Sequence, residues 1–141
     1  MIHIKKDHLD HIETHGKEGF PNEVCGIILG VSKSGKKEAL KLIRGTNLNS
    51  DRSHDRYELD PKDLLKAERD ARDSGMEIIG FYHSHPDHPD TPSEFDRERA
   101  WPDYSYIISS IMGGKEASTK SWLLNDESHI FEEEKIIVSG A

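Results

Sequence analysis

Two runs of apolar residues, each as long as a β-strand, dominate the hydrophobic pattern of the chain. The first run covers residues 25–31. The second run lies within residues 77–85, a segment that has histidines at positions 83 and 85. A short, continuous apolar run is typical of a strand that is buried on both faces of a sheet. We therefore predict two central strands at these positions.

Segments in which apolar and polar residues alternate flank these runs. Ile2 and Ile4 predict a short edge strand, and residues 36–44 predict one arm of a hairpin that follows the turn sequence at residues 32–35. Further strands are predicted at residues 57–59, 104–112, 119–125 and 129–138.

Two longer segments have helical spacing. Residues 7–17 place apolar side chains on related faces, and residues 60–74 begin with an Asp60-Pro61 pair and end before Gly75. Proline in the first turn and glycine just beyond the last turn are the usual boundaries of a helix.

A third, short helix is predicted at residues 93–100, with Thr91 as its cap and Pro92 inside its first turn. Strands and helices alternate early in the chain, and strands follow one another late. This order predicts an α/β fold, in which a mixed β-sheet and its flanking helices form layers.

Length and charge narrow the possible classes of protein. The 141 residues predict a single domain spanning residues 1–141. A net charge of −8 without a basic block disfavours nucleic-acid binding. No apolar run is long enough for a membrane helix, and the amino-terminal residues lack a signal-peptide core, so we expect a cytoplasmic protein. One cysteine excludes an internal disulfide and a multi-cysteine zinc site.

The candidate chemistry lies at the end of the second buried strand. His83 and His85 are two residues apart, so both imidazoles project from one face of the strand, and Asp96 follows in the predicted short helix. Two imidazoles and one carboxylate form a ligand set that zinc uses in catalytic sites. A histidine pair with this spacing also arises by chance in a chain with nine histidines, so spacing alone leaves a structural role open.

The sequence around these residues resembles a known signature. His83-Ser84-His85-Pro86 followed by Ser93-Glu94-Phe95-Asp96 is similar to the JAMM motif of the MPN-plus zinc metalloprotease family, and residues 21–30 resemble the glutamate-bearing segment of its short prokaryotic members. The resemblance extends from about residue 2 to residue 130. It implies a JAMM/MPN fold, which is similar to that of the cytidine deaminases.

The resemblance also implies roles for five residues. His83, His85 and Asp96 would ligate one zinc ion per chain, Glu23 would serve as general acid and base, and Ser93 would donate a hydrogen bond to the oxyanion. Ser84 lies between the histidines and points to the opposite face of the strand, so we expect it to pack or to support the site.

Two nearby residues invite other interpretations. His88 lies in the same loop as the motif, but proline-bounded exposure is a simpler explanation for it than metal ligation. Cys25 has apolar neighbours and is expected to be a buried core residue rather than a nucleophile. A zinc deaminase is excluded because its paired-cysteine motif needs more than one cysteine.

The resemblance therefore implies a zinc-dependent peptidase or isopeptidase. Its expected substrate is a ubiquitin-like, sulfur-carrier type protein, cleaved beside the carboxy-terminal Gly-Gly, with the substrate tail along a strand edge and the loop of residues 47–56 bordering the groove. Two alternatives stay open: a non-catalytic MPN-type interaction scaffold, and a protein that only stores zinc. A free sheet edge also offers a route to a homodimer.

Overall fold

The computed structural model describes residues 1–140, which form eight strands and three helices. In chain order these are β1 (Ile2–Lys5), α1 (Lys6–Gly19), β2 (Cys25–Lys33), β3 (Lys36–Arg44), α2 (Pro61–Asp73), β4 (Glu77–Pro86), α3 (Glu94–Arg99), β5 (Ser105–Met112), β6 (Glu116–Leu124), β7 (Phe131–Glu134) and β8 (Ile136–Ser139).

All eight strands belong to one mixed sheet, in the order β7-β6-β5-β4-β2-β3-β1-β8. The pairs β1–β3, β1–β8 and β4–β5 are parallel, and the other neighbours are antiparallel. The two strands with continuous apolar runs, β2 and β4, are adjacent at the centre, as their pattern predicts. The expected α/β fold with a mixed sheet and flanking helices is thus confirmed.

The prediction of a single strand at residues 129–138 is wrong, because this segment forms two strands at opposite edges of the sheet. β7 pairs with β6, whereas β8 pairs with β1. Only Lys135 separates them, and its carbonyl accepts a hydrogen bond from the amide of Ile2 at 3.0 Å. The sheet must therefore curl until its two edges meet, a long-range closure that no turn residue marks in the sequence.

The helices cover the two faces of the sheet and separate its core into two clusters. α1 packs against β4 and β5 from one face, where Ile12, Ile28 and Tyr82 belong to the same buried cluster. α2 packs against β2 and β4 from the other face, where Ala67 joins Ile27. Successive residues of β2 thus enter opposite clusters, which explains its continuous apolar run.

The helix boundaries agree with the sequence signals, apart from one cap. The Asp60 side chain accepts a hydrogen bond from the amide of Lys62 at 2.9 Å and begins α2. The predicted Thr91 cap of α3 is wrong, because Ser93 occupies that position and forms a capping box with Asp96. Both Thr91 and Ser93 have a carboxylate three residues later, Glu94 and Asp96, so the capping-box pattern fits either position, and the bonds between Ser93 and Asp96 show which one is used.

Two further observations concern the rest of the described chain. Residues 57–59, predicted as a short strand, contribute only an isolated bridge between Leu59 and Asn47. No helix within residues 1–140 has the length and apolar character that crossing a membrane requires.

Candidate metal centre

The carboxyl end of β4 presents His83 and His85 on one face of the sheet. β2 pairs with this end on one side, with Cys25 opposite His83, and β5 pairs on the other side, with Ser110 opposite His85. Both histidines are at least 95% buried. A strand held on both sides fixes the two imidazoles with little freedom.

Asp96 reaches the histidines from the first turn of α3. Its Oδ2 atom accepts a hydrogen bond from the amide of Ser93 at 2.9 Å, while the Ser93 Oγ atom accepts one from the amide of Asp96 at 3.1 Å. The hydrogen bonds that begin this helix therefore also hold the carboxylate in place.

Three potential ligand atoms converge at this point. The Asp96 Oδ2 atom lies 3.0 Å from His85 Nε2 and 3.2 Å from His83 Nε2, and the two Nε2 atoms are 3.1 Å apart. Tetrahedral zinc with bonds of about 2.0–2.1 Å would place its ligands roughly 3.3 Å from one another. Electron-pair donors this close need a proton or a cation between them, so the arrangement fits a metal ion.

The contacts around the imidazoles orient them toward the shared point. The His85 Nδ1 atom lies 2.8 Å from the Pro89 carbonyl, which can only accept, so Nδ1 carries the proton and Nε2 keeps its lone pair. The ring of Tyr57 stacks on His83, with centroids 4.6 Å apart. His83 Nδ1 is buried and has no hydrogen-bond partner among residues 1–140.

The charges of the three groups are coupled. Burial opposes ionisation of Asp96, yet His83 and His85 hold the pKa of its carboxyl well below the ordinary range. Burial lowers the pKa of His83 despite the nearby carboxylate. For His85, burial acts to lower the pKa, but Asp96 and the Pro89 carbonyl raise it overall. The site therefore keeps one anionic oxygen facing two imidazoles.

Glu23 lies beside the histidines because β2 and β4 continue their contact beyond the ladder. The Ser84 Oγ atom accepts a hydrogen bond from the Val24 amide at 2.9 Å, and the Ser84 amide donates to the Val24 carbonyl at 3.1 Å. Ser84 thus points away from the metal centre, as predicted, and attaches the residue next to Glu23 to the strand that carries the histidines.

The loop of residues 47–56 holds the backbone of Glu23 from the other side. The Glu23 amide donates to the Ser53 carbonyl, and the Asn47 side chain donates to the Glu23 carbonyl at 3.1 Å. The Asn47 Nδ2 atom also donates to the Arg56 carbonyl at 3.1 Å, and the Asn47 Oδ1 atom accepts from the backbone amide of Glu58 at 3.0 Å. One asparagine therefore joins the loop to the glutamate.

The Glu23 side chain is 5% exposed, and its carboxylate lies within 4.8 Å of the histidine nitrogens. Glu23, His83 and His85 are thus close enough to one another to hold a metal ion. The Asp96 oxygen lies 3.0–3.2 Å from the Nε2 atoms of both histidines, so Asp96 and Glu23 are both within reach of a metal held by the two imidazoles. Burial, reinforced by the Asp96 charge, raises the pKa of the Glu23 carboxyl to about 8.

A cavity of about 400 Å³, called here the site cavity, opens onto Glu23, His85 and Ser93. Arg56 of the 47–56 loop also lines it, so this loop borders the site cavity, and its expected place beside a substrate groove stays a prediction. Ser93 is exposed. Since its Oγ atom accepts the capping hydrogen bond from Asp96, its own hydroxyl hydrogen stays available to a bound molecule.

The structure leaves Cys25 and His88 in the roles expected for them. Cys25 is 1% exposed, and burial raises the pKa of its thiol to about 12, so it is not a thiolate nucleophile at neutral pH. His88 is an exposed residue of the loop after β4, and its backbone carbonyl accepts a hydrogen bond from the Ser110 hydroxyl.

Sequence reasoning missed residues that support the site from a distance along the chain. The sequence pattern predicts only a loop and a short strand for the segment that contains Asn47 and Tyr57, and it gives Phe95 no role beyond its place in the motif. No periodicity or spacing marks Asn47 or Tyr57, since their roles depend on how the 47–56 loop folds over the end of β2.

The sequence of this chain is similar to those of characterised peptidases. It is 36% identical over 117 residues to the desampylase of Haloferax volcanii, which covers 79% of this chain and 82% of the relative. It is 29% identical over 127 residues to the CysO-cysteine peptidase of Mycobacterium tuberculosis, which covers 89% of this chain and 84% of the relative.

Solved structures share the fold. A protein from Desulfitobacterium hafniense superposes with a TM-score of 0.88 and 30% identity, covering 100% of this chain and 94% of its own. A JAB1/MPN domain protein from Archaeoglobus fulgidus has a TM-score of 0.60 at 20% identity, covering 99% of this chain and 98% of its own, and shows the fold alone.

The family model that matches the chain covers residues 5–125, and thus spans both the glutamate-bearing segment and the histidine motif. Together with the shared fold and the identity to the Haloferax peptidase, this match shows that the chain belongs to the Prok-JAB family, the prokaryotic homologues of the JAB domain.

Proposed function

We propose that this protein is a zinc-dependent peptidase or isopeptidase that hydrolyses the amide bond after the carboxy-terminal Gly-Gly of a ubiquitin-like, sulfur-carrier type protein. One observation carries the proposal: His83, His85 and Asp96 converge on one point, and the buried Glu23 faces the same cavity. The names of the relatives, a desampylase and a CysO-cysteine peptidase, support it.

We assign one zinc ion per chain to His83, His85 and Asp96. The two imidazoles and one carboxylate match the ligand set of catalytic zinc sites, in which a further position is open. When bound, zinc acidifies a water molecule to a pKa of about 7 and polarises a carbonyl. The Pro89 carbonyl keeps the His85 proton on Nδ1, so that the Nε2 lone pair faces the metal position.

Glu23 and Ser93 carry the proton transfer and the charge stabilisation. In its ionised form, which the positive charge of bound zinc would favour against the effect of burial, the Glu23 carboxylate accepts the proton of the attacking water and delivers it to the amine nitrogen that leaves. The Ser93 hydroxyl donates to the carbonyl oxygen while negative charge develops there. Both residues line the site cavity, so one bound amide can contact both.

Zinc content and cleavage, measured on the same samples, test this proposal. The substrate is a ubiquitin-like sulfur carrier with a short peptide after its glycine pair. The wild-type protein is expected to hold about one zinc per chain and to release the peptide. Glu23→Gln is expected to keep the zinc and to lose at least a hundredfold in kcat, the lower range for a positioned proton-transfer group.

Glu18→Gln is the matched control, because Glu18 is an exposed carboxylate paired with Arg44 on the surface, and it should cleave like the wild type. If Glu23→Gln cleaved at the wild-type rate, the assignment of the base would be wrong. If the wild-type protein bound carriers without zinc and without cleavage, the interaction-scaffold alternative would replace the proposal.

A further inference from the structure

Two arginines that have no carboxylate partner among residues 1–140 share one aromatic ring beside the candidate metal centre. The guanidinium carbons of Arg56 and Arg99 lie 4.6 Å and 4.5 Å from the centroid of Phe95. Phe95 precedes the proposed ligand Asp96 in α3. We call Arg56 and Arg99 the arginine pair.

The neighbouring arginines are engaged differently. Arg52 is paired with Asp55, and Arg97 is paired with Glu94. Within residues 1–140, the arginine pair has no carboxylate within 4.0 Å and donates no side-chain hydrogen bond, although the chain has 27 acidic residues. The ring orients the two cations and leaves their N–H groups to an external acceptor.

The arginine pair lies between two cavities that meet at Phe95. Arg56 lines the site cavity, whereas Arg99 lines a second cavity of about 230 Å³, which we call the apolar cavity. The walls of the apolar cavity include Leu64, Phe81 and Trp101. A chain that crosses from one cavity to the other over Phe95 therefore lies next to the arginine pair.

The apolar cavity opens at an exposed aromatic side chain. Trp101 is 68% exposed, and its backbone amide donates to the Tyr106 hydroxyl at 2.8 Å. An exposed indole beside an apolar cavity is typical of a surface that binds another molecule. Carboxylates such as Glu58 and Glu94 also line the two cavities, but within residues 1–140 none pairs with the arginine pair, which therefore suits an acidic partner.

Resting on the proposed function, we propose that the arginine pair is a specificity element for the carrier tail. It binds the carboxylate of an acidic side chain shortly before the glycine pair, while the apolar cavity takes a neighbouring apolar side chain. Hydrolysis also forms a new carboxylate, at the end of the glycine pair. That carboxylate lies at the metal centre, so it does not explain why Arg99 lines the apolar cavity.

Cleavage kinetics with a set of carrier tails test this inference. Each of the four positions before the glycine pair is changed in turn to Glu, Gln or Lys, in a carrier fused to a fluorescent reporter. At one position, the wild-type protein should show a KM about tenfold lower for Glu than for Gln, with a similar kcat. This preference should weaken with added salt.

Variants then locate the preference. Arg56→Gln and Arg99→Gln should each reduce the Glu-over-Gln ratio toward one, and Arg99→Glu should favour the Lys tail. Arg97→Gln is the matched control, since it removes an equal charge from the same helix, where the guanidinium is already paired with Glu94. Thermal unfolding of each variant checks that it is folded.

The outcomes separate the two proposals. If the wild-type protein cleaves no carrier, the proposed function fails. If it cleaves Glu, Gln and Lys tails with equal KM at all four positions, the specificity inference fails and the function stands. If Arg97→Gln lowers the Glu preference as much as Arg99→Gln, general surface charge is responsible and the inference is also overturned.

Discussion

At the scale of single residues, Ser93 connects the stability of a helix to the chemistry of the site. Its Oγ atom caps α3 by accepting from the Asp96 amide, and the Asp96 carboxylate in turn accepts from the Ser93 amide. The same carboxylate oxygen faces both histidines. A change at Ser93 should therefore affect the helix start, the position of Asp96 and the available hydroxyl together.

Ser93→Ala should lower kcat by about a hundredfold or more, because the hydroxyl that we propose stabilises the developing oxyanion is lost. It should also lower the free energy of unfolding by about 1 kcal/mol, because the cap is lost. Ser93→Thr keeps a hydroxyl cap and should recover most of both. Steady-state kinetics and urea unfolding measure the two effects, and an alanine variant with unchanged kcat would contradict the role of the hydroxyl.

At the scale of elements, the site depends on contacts between the end of β2, the end of β4 and the 47–56 loop. Ser84 joins Val24 to β4, and Asn47 joins the Glu23 carbonyl to the loop. Neither side chain faces the ligand atoms directly. Both determine where the Glu23 carboxylate lies relative to the histidines.

Ser84→Ala should lower the free energy of unfolding by about 1–3 kcal/mol, because it leaves the buried Val24 amide without its acceptor. It should also lower kcat while zinc content stays near that of the wild type. Ser118→Ala, at an exposed position of β6, is the control and should change neither quantity. Equal unfolding curves for the two variants would show that the Ser84 hydrogen bond is dispensable.

Asn47→Asp should distinguish the contribution of the side-chain nitrogen of Asn47 from that of its side-chain oxygen. It keeps the oxygen that accepts from the Asn49 and Glu58 amides but loses the donor to the Glu23 and Arg56 carbonyls. We expect roughly a tenfold fall in kcat with zinc retained, since small displacements of a catalytic group have effects of this order or more. Wild-type kcat in Asn47→Asp would show that the donor does not position Glu23.

At the scale of the whole molecule, α1 is attached to the sheet by a polar contact within an apolar interface. The His15 Nδ1 atom lies 2.7 Å from the Tyr82 hydroxyl, and the two rings pack edge to face. Burial, with a contribution from the Arg44 charge, lowers the pKa of His15 to about 4. Folding therefore favours the neutral imidazole.

This contact should make stability depend on pH. The pKa of His15 in the folded state lies below its ordinary value of 6.5, so the unfolded chain binds the proton first as pH falls. The contribution is complete above about pH 6.5 and is lost progressively toward pH 4. His15→Asn should flatten this part of the stability profile, measured by urea unfolding, whereas His129→Asn at an exposed position should not. Parallel profiles for wild type and His15→Asn would contradict this assignment.

The sequence alone predicted most helices and strands, and the part of the site whose residues lie close together in the chain. Hydrophobic periodicity is a local property, so the central strands β2 and β4 and the helices α1 and α2 follow from it. His83, His85 and Asp96 converge because one strand, one anchored loop and one short helix are consecutive in the chain. Their spacing in the chain therefore determines how these three side chains are arranged, with little contribution from the rest of the fold.

Only the tertiary structure decided the remainder. The division of residues 129–138 between two sheet edges depends on closure of the whole sheet, and the arginine pair joins a loop to a helix across Phe95. Glu23 reaches the histidines through strand pairing with a segment sixty positions away, as in the Val24–Ser84 bond. Such proximity depends on register and long-range packing, which no local pattern of residue types specifies.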